Sequence, residues 1–327
     1  MVIASHILSG FQGCILGGAI GDALGYPVEF LSLDEIGDQF GEEGITSFYS
    51  FGSHPDGLIS DDTQWTLAYA KALLDTRAGL QKNLVGALRR RAVQWYESPE
   101  NNRAPGNACL DGCENLLEGV SWFEAGSLRA KGSGAVMRVA PFGLVYANQP
   151  ALLDEITAVS SLGTHRNPTA VAAAVVTARI IAFALQSQDA DYFKQSVIDR
   201  VLLNLHPHSA ALASKLKKVK DLAAIHPKEA FSILGEGWVA EEAIAGALYC
   251  VLSTSGFSEA VLRAVNTDGD SDTFGAITGN IAGALYGKDN IPSDWVRIVE
   301  KNGELFKVGH KWYNLALYVV RMKASPE

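Results

Sequence analysis

Cysteine is scarce, with four in 327 residues: Cys14, Cys109, Cys113 and Cys250. Cys109 and Cys113 fall on one helical face, but no second pair or nearby histidine completes a zinc site. The four read as reduced, mostly buried thiols of a cytosolic protein, which sets aside a disulfide framework. An excess of positive charge is also missing. The 27 Lys and Arg against 36 Asp and Glu leave a net charge of −9, without the basic stripe of a general nucleic-acid binder. A nucleotide-like ligand stays open, because a helix N-terminus can hold phosphate inside an acidic protein. The opening residues, Met1 to His6, lack the basic region and cleavage site of a signal peptide. The longest apolar run, Ala170 to Leu185, is short for a bilayer and contains Arg179, so it predicts a buried helix and no membrane span. Strand-like alternation is scarce everywhere, and no tandem repeat or long linker divides the chain.

What is present is helical patterning. Hydrophobic residues make up 48% of the chain and charged residues 19%, the balance of a globular protein. The spacing predicts helices over 7–30, 64–74, 80–97, 169–185, 209–224, 227–234, 238–253 and 257–266, and another from Phe274. Residues 31–58 read as a mixed loop. Arg89-Arg90-Arg91 reads as a solvated face, and His6, His54, His206, His208, His226 and His310 as ordinary residues. The expectation is one compact all-α domain spanning 1–327, a helix bundle and a monomer.

Two segments carry glycine at every fourth position: Gly13, Gly17, Gly21 and Gly25 near one end, and Gly275, Gly279, Gly283 and Gly287 near the other. Residues four apart share a helix face, and each glycine costs about 1 kcal/mol relative to alanine. Two such ridges are expected to pack together in the centre of the fold.

Acidic residues crowd two helix starts. One is Ser60-Asp61-Asp62-Thr63, where Ser60 or Asp61 suits the N-cap. The other is Asp268-Gly269-Asp270-Ser271-Asp272-Thr273, just before the second glycine ridge. One or two acids suit the positive end of a helix, whereas three within five residues repel one another unless a cation sits among them. An EF-hand loop counted from Asp268 would need glycine where Thr273 stands and glutamate where Gly279 stands, so it fails twice. The oxygen-only set Ser60, Asp61, Asp62, Asp270, Asp272 and Thr273 suits Mg²⁺ or Mn²⁺ over zinc or copper, with room for two ions sharing Asp272. Such ions lower the pKa of a bound water and polarise a substrate hydroxyl. His165 stands in a loop at a helix start. The segment 131–146 is a glycine-rich turn running into an apolar helix, but Met137 and the missing strand exclude a dinucleotide fingerprint.

Five motifs in order resemble the ADP-ribosylglycohydrolase family: Gly17-Gly-Ala-Ile-Gly-Asp-Ala-Leu-Gly25 with Glu29, Ser60-Asp-Asp-Thr63, Gly132-Ser-Gly-Ala-Val-Met-Arg138, Thr164-His165, and Gly269-Asp-Ser-Asp-Thr273. The likeness runs from Gly13 to about Gly287. It implies an all-helical bundle around a binuclear Mg²⁺ or Mn²⁺ cleft, with Ser60, Asp61, Asp62, Asp270, Asp272 and Thr273 as metal ligands. It implies that Glu29 lies near the metals and gates the cleft, and that Gly132, Ser133, Gly134 and His165 contact ADP-ribose, with Asn107 in the corresponding loop. Asp268 departs from the family pattern, where glycine is usual, and stays off the ligand set. The implied reaction is metal-assisted hydrolysis of the bond between the distal ribose and a protein side chain. Positive charge builds on the ribose ring, and Asp62, Asp270 or Glu29 moves the proton. Backbone amides of the Gly132–Gly134 turn would hold the pyrophosphate. The expected partner is an ADP-ribosylated protein, most simply at arginine, or an ADP-ribosyl small molecule. Serine linkages, immunity against an ADP-ribosylating toxin, a non-catalytic ADP-ribose binder and a metal phosphohydrolase are the competing readings.

Overall fold

The computed structural model describes residues 2–77, 81–203, 205 and 209–324. His206 and His208 lie outside the described residues. Among those described there are seventeen α-helices and three short 3-10 helices, and the only extended pairings are isolated bridges such as Gly132–Val239. The all-α expectation holds.

Seven helices position the site: α1 (Val2–Gly25), α2 (Asp61–Asp75), α3 (Asn107–Leu117), α4 (Pro168–Gln186), α5 (Ala240–Leu252), α6 (Ser271–Tyr286) and α7 (Asn302–Ala324). The most extensive helix–helix contact joins α1 to α6, with α4 and α5 packed on α6 and α7 on α1. The two glycine ridges meet there, running antiparallel. A Cβ on Gly13, Gly17 or Gly21 would collide with the carbonyl of Gly283, Gly279 or Gly275, and the reverse substitutions collide in turn. Backbone therefore lies on backbone along three turns. This close approach removes the side-chain layer that ordinarily sets helix separation.

The core wraps this pair almost completely. Every residue from Ser271 to Leu285 is buried, and α2 is buried from Asp61 to Ala70 on all sides, beyond the single apolar face its spacing implies. Two helical stretches, His6–Val28 and Pro168–Gln186, are long and apolar enough by length and composition to cross a membrane, and both are mostly buried against other helices.

Three local expectations need correction. The 31–58 region contains a helix, Leu33–Phe40, started by a capping box in which Ser32 and Glu35 satisfy each other's backbone N–H groups. Arg89 is no solvated side chain: its guanidinium donates to the Leu116 and Val120 carbonyls at the end of α3. The first helix ends at Gly25, and residues Tyr26–Val28 tighten into a 3-10 turn before Glu29.

Candidate active site

The two acid clusters come together at the N-terminal ends of α2 and α6. Ser60 is the N-cap of α2 and its hydroxyl receives the Asp62 N–H at 3.3 Å. Asp270 is the N-cap residue of α6, yet its carboxylate makes no capping bond; it accepts from the Ser133 hydroxyl at 2.8 Å instead. Helix capping therefore does not account for it. Gly269, at φ +97°, turns the chain so that the Asp270 N–H reaches the Glu236 carbonyl at 2.9 Å, a backbone shape that suits glycine. Thr273 Oγ1 donates to Asp62 Oδ2 at 3.4 Å, bridging the two clusters.

Oxygen atoms of Glu29, Asp270 and Asp272 lie within 4.8 Å of one another. Asp61 and Asp62 line the same cleft, a cavity of about 540 Å³. Burial and mutual repulsion push these carboxyls up: Asp270 to about 6, Glu29 to about 11, and Asp61, Asp62 and Asp272 well above the usual range. Buried acids this close resist ionising together without a nearby positive charge. Glu29 Oε2 and Asp62 Oδ1 are buried without a hydrogen-bond partner, which buried oxygens seldom are. The all-oxygen set is thus fitted to hold a divalent cation. Ser60 is fully buried and is not among the residues that line the cavity, though its hydroxyl bonds to Asp272.

The other predicted residues share this cleft. Asn107, Gly132, Ser133, Gly134 and His165 all line the cleft. Ser133 serves as a tie as much as a surface: its N–H donates to the Trp238 carbonyl at 3.3 Å and its hydroxyl to Asp270. His165 is 2% exposed, and burial together with the Arg138 charge pushes its ring down to about 3. Asp268 stands apart from the acids. Its carboxylate accepts the Leu33 N–H at 2.8 Å and so anchors the segment that follows Glu29.

Four contributors carried no assigned role at the level of sequence. Asp22 on α1 accepts the Ser60 N–H at 2.9 Å and the Thr63 N–H at 3.0 Å, and burial with the Asp272 charge raises it to about 7. Its place in Gly21-Asp22-Ala23, one charge inside an apolar helix, was the available signal. Arg138 is fully buried beside Cys109 and Thr164. Phe30 and Trp238 stack at the cleft mouth, with ring centroids 5.3 Å apart. Phe30 adopts φ +69°, the left-handed region, directly after Glu29.

The chain matches known proteins along its length. The chain belongs to the ADP-ribosylglycohydrolase family, whose model matches residues 4–324. It is 30% identical over 312 residues to an uncharacterized protein of Archaeoglobus fulgidus, covering 95% of this chain and 98% of that one. It is 27% identical over 304 residues to the ADP-ribosylarginine hydrolase Tri1 of Serratia proteamaculans, covering 90% of this chain and 76% of that protein. A solved ADP-ribosylglycohydrolase-related protein complex superposes with a TM-score of 0.76 at 29% identity, over 95% of this chain and 99% of the other.

Proposed function

We propose that the protein releases ADP-ribose from modified protein side chains, with arginine as the linkage, when Mg²⁺ or Mn²⁺ is bound. The observation that carries this reading is the convergence of Asp61, Asp62, Asp270, Asp272 and Glu29 in one cleft that Gly132–Gly134, Asn107 and His165 also line. The acids suit a sugar held through divalent cations, and Asn107 and His165 offer neutral donors to the pyrophosphate. Similarity to a protein named ADP-ribosylarginine hydrolase supports arginine.

Ser60, Asp61, Asp62, Asp270, Asp272 and Thr273 would hold the cations, and Glu29 closes the group from the end of α1. When bound, divalent cations there supply Lewis-acid polarisation and a water of lowered pKa. Around the reacting ribose the chain's own carboxylates offset the positive charge that builds on the ring. Asp62, Asp270 and Glu29 are the candidates to move a proton, each with a carboxyl on the cleft. Asn107 and His165 orient the ligand within the same cleft, and the Phe30–Trp238 stack narrows the entrance.

The test is to incubate the protein with Mg²⁺ or Mn²⁺ and with arginine- or serine-ADP-ribosylated protein, with and without chelator. Free ADP-ribose appearing from the arginine substrate only with metal supports the reading. Release from serine alone corrects the linkage. ADP-ribose binding with no release from any linkage points to a non-catalytic relative, and phosphate release points to a phosphohydrolase.

A further inference from the structure

Among the described residues, Arg138 is the largest charged side chain wholly inside the protein. Its guanidinium lies 4.2 Å from the Trp65 ring centroid and 5.1 Å from that of Tyr69. Its hydrogen-bond partners are the Cys109 sulfur at 3.5 Å and the Thr164 hydroxyl, and its Nε finds no partner. Such a group is expensive to bury, and neither partner is a carboxylate that would neutralise it. Its position relative to His165 gives it a use.

Guanidinium can only donate, so Thr164 Oγ1 accepts from Arg138. The same hydroxyl lies 2.8 Å from His165 Nδ1. Thr164 is 1% exposed and these are its side-chain partners. Were Nδ1 protonated, it would donate to Oγ1, and the hydroxyl hydrogen would be buried without an acceptor. An unmade buried hydrogen bond costs about 1–3 kcal/mol. With Nδ1 accepting, all three groups are satisfied in one direction, from Arg138 through Thr164 to the ring. The ring proton then sits on Nε2. That atom has no hydrogen-bond partner among the described residues, and it faces Gly132 and Gly134: a Cβ added at either would lie 3.5 or 3.3 Å from it. A side chain at Gly134 would crowd the ring, its Cβ lying 2.9 Å from the ring's Cε1.

We infer that Arg138 and Thr164 are positioning residues that fix His165 as a neutral ring protonated on Nε2, a one-way hydrogen-bond donor to a phosphate oxygen of the ligand. The inference rests on the cleft taking ADP-ribose. The nearby guanidinium charge also disfavours a second ring proton. The donor therefore acts without a net charge of its own, and the direction of the hydrogen bond is set before the ligand arrives.

The experiment is long-range ¹H–¹⁵N correlation NMR on the full chain labelled with ¹⁵N-histidine and loaded with Mg²⁺. The His165 signals are those missing from His165→Gln. They are expected to show a protonated Nε2 and a bare Nδ1, with the Nε2 proton shifting downfield when ADP-ribose is added. Thr164→Val keeps the shape and removes the hydroxyl; it is expected to yield a tautomer mixture and to weaken ADP-ribose binding about tenfold by calorimetry. Thr164→Ser is expected to restore both. An Nδ1-protonated ring or an imidazolium in the unmutated protein overturns the inference, and this reading stands even if the valine variant fails to fold. So does a folded Thr164→Val variant with unchanged tautomer and affinity. An Nε2-protonated His165 in a protein that does not bind ADP-ribose strikes the assignment of the cleft and leaves the relay in place.

Discussion

The Asp22 carboxylate holds Thr63 twice, by its backbone N–H at 3.0 Å and by its hydroxyl. With the Ser60 N–H also on Asp22, the first turn of α2 is fastened to α1 from within the core. Asp61 and Asp62 are aimed at the cleft by this fastening, because the backbone that carries them cannot rotate while it is tied. Asp22→Ala leaves two buried N–H groups unmet, so it is expected to lower stability by about 2–4 kcal/mol. Urea denaturation measures that loss. The Mg²⁺-induced rise in melting temperature should shrink in the same variant, since its ligands are no longer held. An unchanged rise would mean that Asp22 does not position them.

Glycine-to-alanine changes should have opposite signs at two helical positions. At Gly37, in the Leu33–Phe40 helix, an added Cβ meets nothing within 4 Å, so Gly37→Ala should stabilise by about 0.5–1 kcal/mol. At Gly21 the Cβ runs into the Gly275 backbone. Overpacking there should outweigh the propensity gain by about 1–3 kcal/mol. Melting temperatures of the two variants, compared with the parent, decide the matter. A stabilised Gly21→Ala would show that α1 and α6 separate freely.

Metal should stabilise the fold as well as serve the reaction. A ligand at one hundred times its dissociation constant adds about 2.7 kcal/mol, so chelation should lower the melting temperature visibly. Asp270→Asn and Asp61→Asn should abolish that response and turnover while the helical circular dichroism persists. Without metal, each is expected to melt higher than the parent protein, because one of several repelling buried carboxyls has been neutralised. Full activity in either variant would sink the ligand set.

His165 makes acid stability distinctive. Its folded-state pKa of about 3 lies below the ordinary value of 6.5, so between those values the unfolded chain binds the extra proton. Stability from this residue is therefore present above pH 6.5 and drains away as pH falls toward 3, by up to about 1.4 kcal/mol per pH unit. His165→Gln should show a correspondingly shallower loss between pH 6 and pH 4 in denaturant titrations. Parallel curves for the two proteins would contradict a ring kept neutral in the fold.

The acid pairs and the glycine ridges were legible in the sequence because each breaks a local economy. Three acids at a helix start exceed what capping requires, and glycine at every fourth position has no purpose in an isolated helix. Both signals point to something outside the segment, so they could be matched across more than 200 residues of chain (Asp62 to Thr273 spans 211). Asp22, Arg138 and the Phe30–Trp238 stack were not legible as parts of the site. A lone charge in an apolar helix looks the same whether it caps a distant helix or pairs with a neighbour. The role of Arg138 depends on which way a threonine hydroxyl points, and that is set by packing. Asp268 carried a misleading signal, since proximity in sequence to Asp270 says nothing about a side chain turned toward Leu33. The Leu33–Phe40 helix was hidden among glycines and acids, although its capping box was written in Ser32 and Glu35.

The glycine seam between α1 and α6 works as a ratchet with few teeth. Its contacts repeat every four residues, so the nearest alternative that again sets glycine on glycine lies a whole turn away, about 6 Å along the axis. Every smaller slip forces a side chain into a backbone. Glu29 follows the end of α1, while Asp270 and Asp272 sit at the start of α6, so the gap between them inherits this all-or-none spacing. A continuous creep of the acids is barred, and Glu29, beyond the last tooth, is held to the same spacing by its N–H on the Gly25 carbonyl and by the Leu33–Asp268 tie.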